Sequence, residues 1–215
     1  TGLNPAGSNM SGSRWGLKGQ EDLGNGLSAV FNVEAGFSSS DGSVVSGNGF
    51  NRRAVVGLKG GFGQVLLGRD YTPMDDLLGG NGFQAIDLST SNVSPDGTAL
   101  YTVRANGIHY SGNFSGVGVK AFVSYDREKV TDDLGTVSED RREGYGMNLS
   151  YATGPFAIAG GAQQFKTKDI SRVTGKNTEV KNTEYAVAAS YDFTAAKVFG
   201  HYAGNDLDAG QPTMH

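Results

Sequence analysis

The chain has 215 residues, no cysteine, 34 glycines and a formal net charge of −4. This length fits a single domain, and the absence of cysteine excludes a disulfide framework or a thiolate metal site. The mild acidity, with no basic stripe, argues against a nucleic-acid partner. Only 37% of the residues are apolar, and no stretch approaches the ~18 apolar residues of a membrane-spanning helix.

The glycines follow no Gly-X-Y period and lie among Val, Phe, Tyr and Leu, a mixture typical of many strands and tight turns. Leu27 to Phe37 shows the underlying pattern, because apolar side chains alternate there with mostly small or polar ones at period two. The alternation recurs along the chain, with aromatic residues near the ends of each apolar face. In chain order it predicts about ten strands, near 13–20, 27–37, 51–60, 64–70, 101–111, 117–127, 144–153, 155–166, 184–193 and 197–204.

Short and long connections alternate along this predicted meander. Short glycine-rich turns include EDLGNG at 21–26, GFG at 61–63 and NFSG at 113–116. Long polar connections cover about 38–50, 71–100, 128–143 and 167–183. Turns at one end and loops at the other are typical of an up-and-down antiparallel sheet rather than a Greek key.

Two architectures accommodate strands with one apolar face. A soluble β-sandwich packs two such faces together, and its strands usually have ~5–6 residues. A transmembrane barrel turns the apolar face to lipid and the polar face to water, and its strands have ~9–11 residues. Strand lengths, aromatic ends and charged opposite faces favour an all-β transmembrane barrel, and the sandwich is the structural alternative.

Two long motifs resemble one known family. SRWGLKGQEDLGNGLSA, residues 13–29, is similar to the second strand, periplasmic turn and third strand of the general porins of Gram-negative bacteria. NRRAVVGLKGGFGQVLLGRDYTP, residues 51–73, resembles their fourth strand, short turn, fifth strand and entry to the third loop. Residues 105–125 resemble the sixth and seventh strands, and the branch is similar to the beta-proteobacterial one.

The resemblance implies a homotrimer of 16-stranded barrels in the outer membrane, in contact with the lipid bilayer and lipopolysaccharide. Each barrel is then a water-filled channel for passive diffusion of small hydrophilic solutes and ions, with no cofactor and no enzymatic activity. On this resemblance we expect residues 1–215 to form one barrel domain that holds strands 2 to 11 of an incomplete porin, with a constriction loop that folds inward at about 71–100. An outer-membrane enzyme, an adhesin or receptor and a soluble β-sandwich binding module are the alternatives.

Charged residues of the third loop and the facing wall are the candidate functional residues. Acids on a loop opposite bases on a wall create a transverse field that aligns polar solutes in a narrow aqueous gap. The predicted constriction residues are basic Arg14, Arg52 and Arg104 and acidic Asp75, Asp76 and Asp87, with further lumen-facing Lys18, Glu34, Lys120 and His109.

The grounds for the three arginines differ. Alternation directs Arg14 and Arg52 inward, and the resemblance places both in the basic cluster of the family. Arg104 begins its strand with the parity of Ile108 and Tyr110, so its membership rests on position rather than alternation. The alternative for all of these charges is simple solvation, and the three scattered histidines lack the spacing of metal ligands.

Overall fold

The chain forms one antiparallel sheet whose strands follow the order of the sequence. The structure is a computed structural model, and it describes residues 13–44, 49–78, 104–131, 137–171, 176–209 and 213–214. Its elements are β1 (Arg14–Gly24), β2 (Leu27–Gly36), β3 (Arg53–Gly60), β4 (Gly63–Tyr71), α1 (Asp75–Leu78), β5 (Arg104–Phe114), β6 (Val117–Thr131), β7 (Val137–Thr153), β8 (Phe156–Ser171), β9 (Lys176–Asp192), β10 (Lys197–Ala209) and β11 (Thr213–Met214).

Strands β1 to β10 pair in an unbroken antiparallel series, and β11 pairs with the beginning of β9. This arrangement confirms the predicted up-and-down sheet. Within the described part of the chain, no helix has both the length and the apolar character that crossing a membrane would require.

Two-residue turns close several of the hairpins. Asn25 and Gly26 both have positive φ angles, of 52° and 75°, and so do Ser115 and Gly116, at 52° and 88°. Turns with two successive positive φ values match the twist of the flanking strands and favour Asn and Gly. The tight connections predicted near 21–26 and 113–116 are therefore shorter in the structure, because the strands extend into them.

The later strands are longer than their sequence pattern predicts. β6 to β9 have 15 to 17 residues each, so much of the predicted loops at 128–143 and 167–183 is strand. The ladder continues there through charged residues, for example Arg142 opposite Asp126 and Lys168 opposite Glu179. Apolar alternation cannot reveal these extensions, because neither face of them is apolar.

The two faces of the sheet invert the usual distribution of a water-soluble protein. Inward positions bury polar side chains, among them Asp70, His109, Asn148 and Glu184. Outward positions expose large apolar side chains, namely Trp15, Leu17, Phe31, Val56, Leu58, Leu67, Ile108, Val123, Tyr145, Met147, Leu149, Val187 and Tyr202. Such a contiguous exposed apolar surface marks contact with lipid or with another apolar surface.

The sheet curves around the segment that follows β4. Residues 72–78 lie against the inward face of β7, β8 and β9, where Asn148 Nδ2 donates a hydrogen bond of 3.0 Å to the carbonyl oxygen of Pro73. Met74 and Leu77 of this segment are fully buried among small side chains, Ala159, Ala186 and Ala188. A segment leaving β4 thus crosses the interior to the strands on the far side.

Neighbouring residues of β7 offer a test of the inverted faces. Leu149 points outward and is 47% exposed, whereas Ser150 points inward. We expect Leu149→Arg to lower the stability of the protein folded into lipid vesicles by about 2–4 kcal/mol, the cost of arginine at the lipid face of a barrel. Ser150→Arg is the control, and it should cost much less because its side chain reaches water. Urea titration of both variants in vesicles measures the difference, and equal losses would contradict the assignment of the faces.

Candidate functional site

A cavity of about 750 Å³ opens on the concave side of β1 to β6. It is lined by six of the residues predicted from the sequence: Arg14, Lys18, Glu34, Asp75, His109 and Lys120. Arg53, Asp70 and Tyr71 complete its charged and aromatic wall. The cavity therefore combines basic and acidic groups around a common space that is large enough for several water molecules.

The ladder register explains why these side chains meet. Directly opposed residues of antiparallel strands share a face, and Lys18 lies opposite Asn32, which lies opposite Val55. Further along the sheet, Ser111 of β5 lies opposite Lys120 of β6. Separate inward rows of the ladder thus carry residues from distant parts of the sequence to one cavity.

Tyr71, at the end of β4, is surrounded by three guanidinium groups. The guanidinium carbons of Arg52, Arg53 and Arg104 lie 5.9, 5.1 and 4.5 Å from the centre of its ring. Nη2 of Arg52 and Nη2 of Arg104 both donate hydrogen bonds to its hydroxyl oxygen, at 2.5 and 2.9 Å. We call these four residues the tyrosine-centred cluster. Cations within about 6 Å of an aromatic ring are attracted by its electron-rich face.

Two carboxylates hold this cluster at its sides. Glu34 Oε1 accepts a hydrogen bond of 2.5 Å from Arg52 Nε, and Asp70 Oδ1 accepts one of 2.6 Å from Arg53 Nε. All four side chains are only partly exposed. Charges removed from water in this way are stabilised only when they are paired and hydrogen-bonded, so each pair fixes its arginine in place.

The structure places the two adjacent arginines differently from the sequence prediction. Arg53 occupies the inward position of β3, opposite Glu34, whereas Arg52 precedes the first residue of that strand. Alternation therefore applies to Arg53 and not to Arg52. Arg52 still reaches the interior, because its backbone N–H donates to the carbonyl oxygen of Glu34 and its side chain binds the Glu34 carboxylate.

Arg104 and Arg14 lie at strand ends. Arg104 pairs with Tyr71 in the ladder, at an outward position by parity, yet its guanidinium contacts the Tyr71 ring and hydroxyl. Alternation fails for it because β4 ends and β5 begins at this point of the ladder, and residues 72–78 turn inward there. Arg14 lines the cavity from the edge strand β1.

His109 belongs to the wall of the cavity. Its Nε2 lies 3.1 Å from the carbonyl oxygen of Ala105, and its ring stacks on Phe122 with an interplanar angle of 17°. Phe122 in turn contacts Phe165, whose ring carries the Arg142 guanidinium at 4.5 Å. The imidazole is held by packing and a backbone contact, which suits a structural part of the wall.

The acidic loop residues are described only in part. Asp75 opens α1 and lines the cavity. Asp76 lies in the same helix, but its side chain is outside the described residues, as is the whole of Asp87. Of the three predicted acids, Asp75 is therefore the one whose side chain is described, and it lines the same cavity as the basic residues of the wall.

A buried polar group on β8 and β9 was not singled out from the sequence. Glu184 is 1% exposed, and its carboxylate accepts hydrogen bonds from Gln163 Nε2 and Asn182 Nδ2. Alternation could have identified Glu184, because it directly precedes the outward Tyr185 in the strand and must therefore point inward. Gln163 lies directly opposite Glu184 in the ladder, and Asn182 lies two residues before it on the same face of β9.

Several known proteins are similar to this chain in sequence and fold. Residues 4–213 match the family described as Gram-negative porin. The chain is 35% identical over 201 residues to outer membrane porin protein 32 of Delftia acidovorans, covering 90% of the chain and 54% of that protein. It is 30% identical over 203 residues to an outer membrane porin protein of Bordetella pertussis, covering 90% of the chain and 52% of that protein. The chain thus spans about half the length of these curated relatives.

A solved structure shows the same similarity in three dimensions. The anion-selective porin from Comamonas acidovorans matches with a TM-score of 0.50 and 28% sequence identity, over 93% of this chain and 70% of that one. The sequence and fold comparisons therefore agree with each other and with the resemblance carried by residues 13–29 and 51–73.

The burial of Leu77 gives a test of how Asp75 is held at the cavity. Leu77 is 0% exposed, and truncating a buried leucine typically costs about 2–5 kcal/mol. We expect Leu77→Ala to lower stability in that range in urea titrations of the vesicle-inserted protein. Leu58→Ala makes the same chemical change on the outward face and should cost less. Equal losses in the two variants would contradict the packing of residues 72–78 against the far wall.

Proposed function

Because the chain belongs to the family of Gram-negative porins, we propose that it forms the wall of a water-filled channel in the outer membrane. Small hydrophilic solutes and ions diffuse passively through this channel. The single observation that carries the proposal is the inversion of the sheet, whose apolar side chains face outward while charged ones surround an open cavity.

The inward face cannot be the dry core of a soluble protein. Arg14, Lys18 and Lys120 share the cavity with Glu34 and Asp75, and such charges require water or close partners. A sandwich would also bury outward residues such as Trp15 and Leu17, which are exposed in the single sheet described here. These features support the channel over the soluble binding module.

The proposed constriction lies between the wall arginines and the segment after β4. In this proposal Arg14 and the tyrosine-centred cluster form the basic side and Asp75 belongs to the acidic side, which is supported by the presence of Arg14, Tyr71 and Asp75 in the lining of one cavity. Asp76 and Asp87 belong to the same proposed acidic group, and the inward loop at about 71–100 is its proposed support. A solute that passes between them crosses a field perpendicular to its path, which orients polar molecules.

We further propose a preference for anions. Within the described residues, Arg14, Lys18, Arg53 and Lys120 line the cavity with Glu34, Asp70 and Asp75, and Arg52 and Arg104 add positive charge behind Tyr71. An excess of fixed positive charge concentrates anions in a narrow aqueous space. The name of the anion-selective porin from Comamonas acidovorans agrees with this direction.

The proposed setting includes lipid, lipopolysaccharide and two further copies of the chain in a homotrimer. The proposal gives residues 1–215 one barrel domain and no catalytic step or cofactor. The relatives matched are named as porins rather than enzymes or adhesins. An outer-membrane enzyme would instead need a nucleophile and a histidine together at one rim, whereas His109 stacks within the wall.

The cysteine-free sequence permits a direct test of the water-filled interior. Ser111 lines the cavity and Ile108 of the same strand faces outward. In the protein inserted in lipid vesicles, Ser111→Cys should react with a charged, water-soluble thiol reagent, because thiolate and reagent both require water. Ile108→Cys should react at least about tenfold more slowly, since few thiols ionise in hydrocarbon. Similar reactivity at both positions would exclude the barrel.

Charge removal at the wall tests the anion preference. A unit charge about 10 Å from an ion in water contributes about 0.4 kcal/mol, roughly a twofold change in its local concentration. We therefore expect Arg14→Gln and Arg53→Gln to shift the reversal potential toward cations in planar bilayers under a salt gradient. Lys197→Gln, at the rim of the short turns, removes the same charge away from the cavity and should shift it less. An unchanged potential in the arginine variants would remove these residues from the constriction.

A further inference from the structure

The acceptor in the tyrosine-centred cluster is chemically unusual. Clustered arginines are commonly held by carboxylates, which match the guanidinium fork and also cancel its charge. Here a single neutral hydroxyl oxygen accepts from Nη2 of both Arg52 and Arg104. The ring below it faces both of these groups and that of Arg53. Tyr71 therefore supplies two attractive contacts without supplying a negative charge.

The charges in the cluster do not balance. Glu34 binds Arg52 and Asp70 binds Arg53, so each of these guanidiniums has its own carboxylate. Arg104 contacts the Tyr71 hydroxyl and ring instead, and in the described part of the chain no carboxylate forms an ion pair with it. The positive charge of the third arginine is therefore retained at the edge of the cavity.

The arrangement also has a cost. Nε of Arg104 is buried and has no hydrogen-bond partner among the residues that the structure describes. An unsatisfied buried donor lowers stability, and such groups are few in native proteins. A carboxylate in place of the Tyr71 hydroxyl would stabilise these guanidiniums better, so the cluster is not arranged for stability alone.

We propose that Tyr71 is a positioning residue for ion selectivity, which fixes the guanidinium groups of Arg52 and Arg104 at the cavity wall without adding a negative charge that would cancel that of Arg104. The inference rests on the proposed channel function. It identifies Tyr71 as the residue that holds the positive charges responsible for the electric field at the proposed constriction. Tyr71 itself lines the cavity, so the charge it positions is adjacent to the aqueous path. The side chain acts through the arginines and not by binding the ion.

Three variants separate the parts of this role. Tyr71→Phe keeps the ring and removes the shared acceptor, so Arg52 and Arg104 lose their common anchor. Tyr71→Glu replaces it with an acceptor that cancels one charge. Tyr110→Phe is the matched control, since its outward hydroxyl donates to the carbonyl oxygen of Phe62 and lies away from the cluster. Each is measured by the reversal potential and single-channel conductance of the protein in planar bilayers.

We expect the anion-to-cation permeability ratio to fall about twofold in Tyr71→Phe and further in Tyr71→Glu, with no change in Tyr110→Phe. The decisive arm combines Tyr71→Phe with Arg52→Gln and Arg104→Gln. In that background the loss of the hydroxyl should have no further effect on the ratio, because the groups it positions are gone. A purely structural role for Tyr71 would shift the ratio equally in both backgrounds.

The inference is overturned if Tyr71→Phe matches Tyr110→Phe, or if its effect persists when both arginines are absent. If Tyr71→Phe does not fold, Arg104→Lys provides the same test. It keeps the charge but not the planar fork, and the ratio should again fall, whereas an unchanged ratio would overturn the inference. If the variants conduct normally and their permeability ratio is unchanged, the inference fails while the proposed function stands. Absence of any current in the unmodified protein would overturn both.

Discussion

A backbone amide in hydrocarbon has no water to bind, so each N–H and C=O must find its partner within the chain. The antiparallel series from β1 to β10 meets this demand for consecutive strands, because every neighbour in sequence is also a neighbour in the ladder. Once the ladder is fixed, the two-residue period of a strand determines which side chains meet lipid and which meet the interior. The positions of the lining charges Lys18, Glu34 and Lys120 follow from that register.

The interior is organised by polar contacts together with two small apolar clusters. Ion pairs between Glu34 and Arg52 and between Asp70 and Arg53 join three neighbouring strands. On the far side, Glu184 and its amide partners stiffen β8 and β9. Between these walls, Leu77 anchors the crossing segment in a small apolar pocket. These few local contacts therefore fix the positions of the charged side chains in the interior.

Sequence pattern predicted the strands well where one face was apolar, and it failed for physical reasons elsewhere. The extensions of β6 to β9 carry charge on both faces, so periodicity had nothing to detect. Lys18, Glu34 and Lys120, which alternation assigns to the inward face, all line the cavity. Alternation could not distinguish Arg52 from Arg53, because the strand begins between them.

Contacts between residues that are far apart along the chain could not be predicted from the sequence pattern. Tyr71 reads as an ordinary aromatic at a strand end, and only the ladder with β5 brings Arg104 to its ring. The packing of Leu77 on Ala186 and Ala188 similarly joins residues more than one hundred positions apart. Such long-range partners need the three-dimensional register, which no local period encodes.

The unequal strand lengths have a consequence for the shape of the sheet. β3 has 8 residues and β7 has 17, which at about 3.3 Å per residue corresponds to roughly 26 Å and 56 Å along the strand. The ladder joins Val55 of β3 through Gly68, Gly107 and Ser124 to Gly144 of β7, and on this register β7 extends beyond β3 at both ends. Tyr71 and its arginines lie where β3 begins and β4 ends, among the shorter strands. More of the wall therefore stands on the β7 side of the sheet than on the side that carries this cluster.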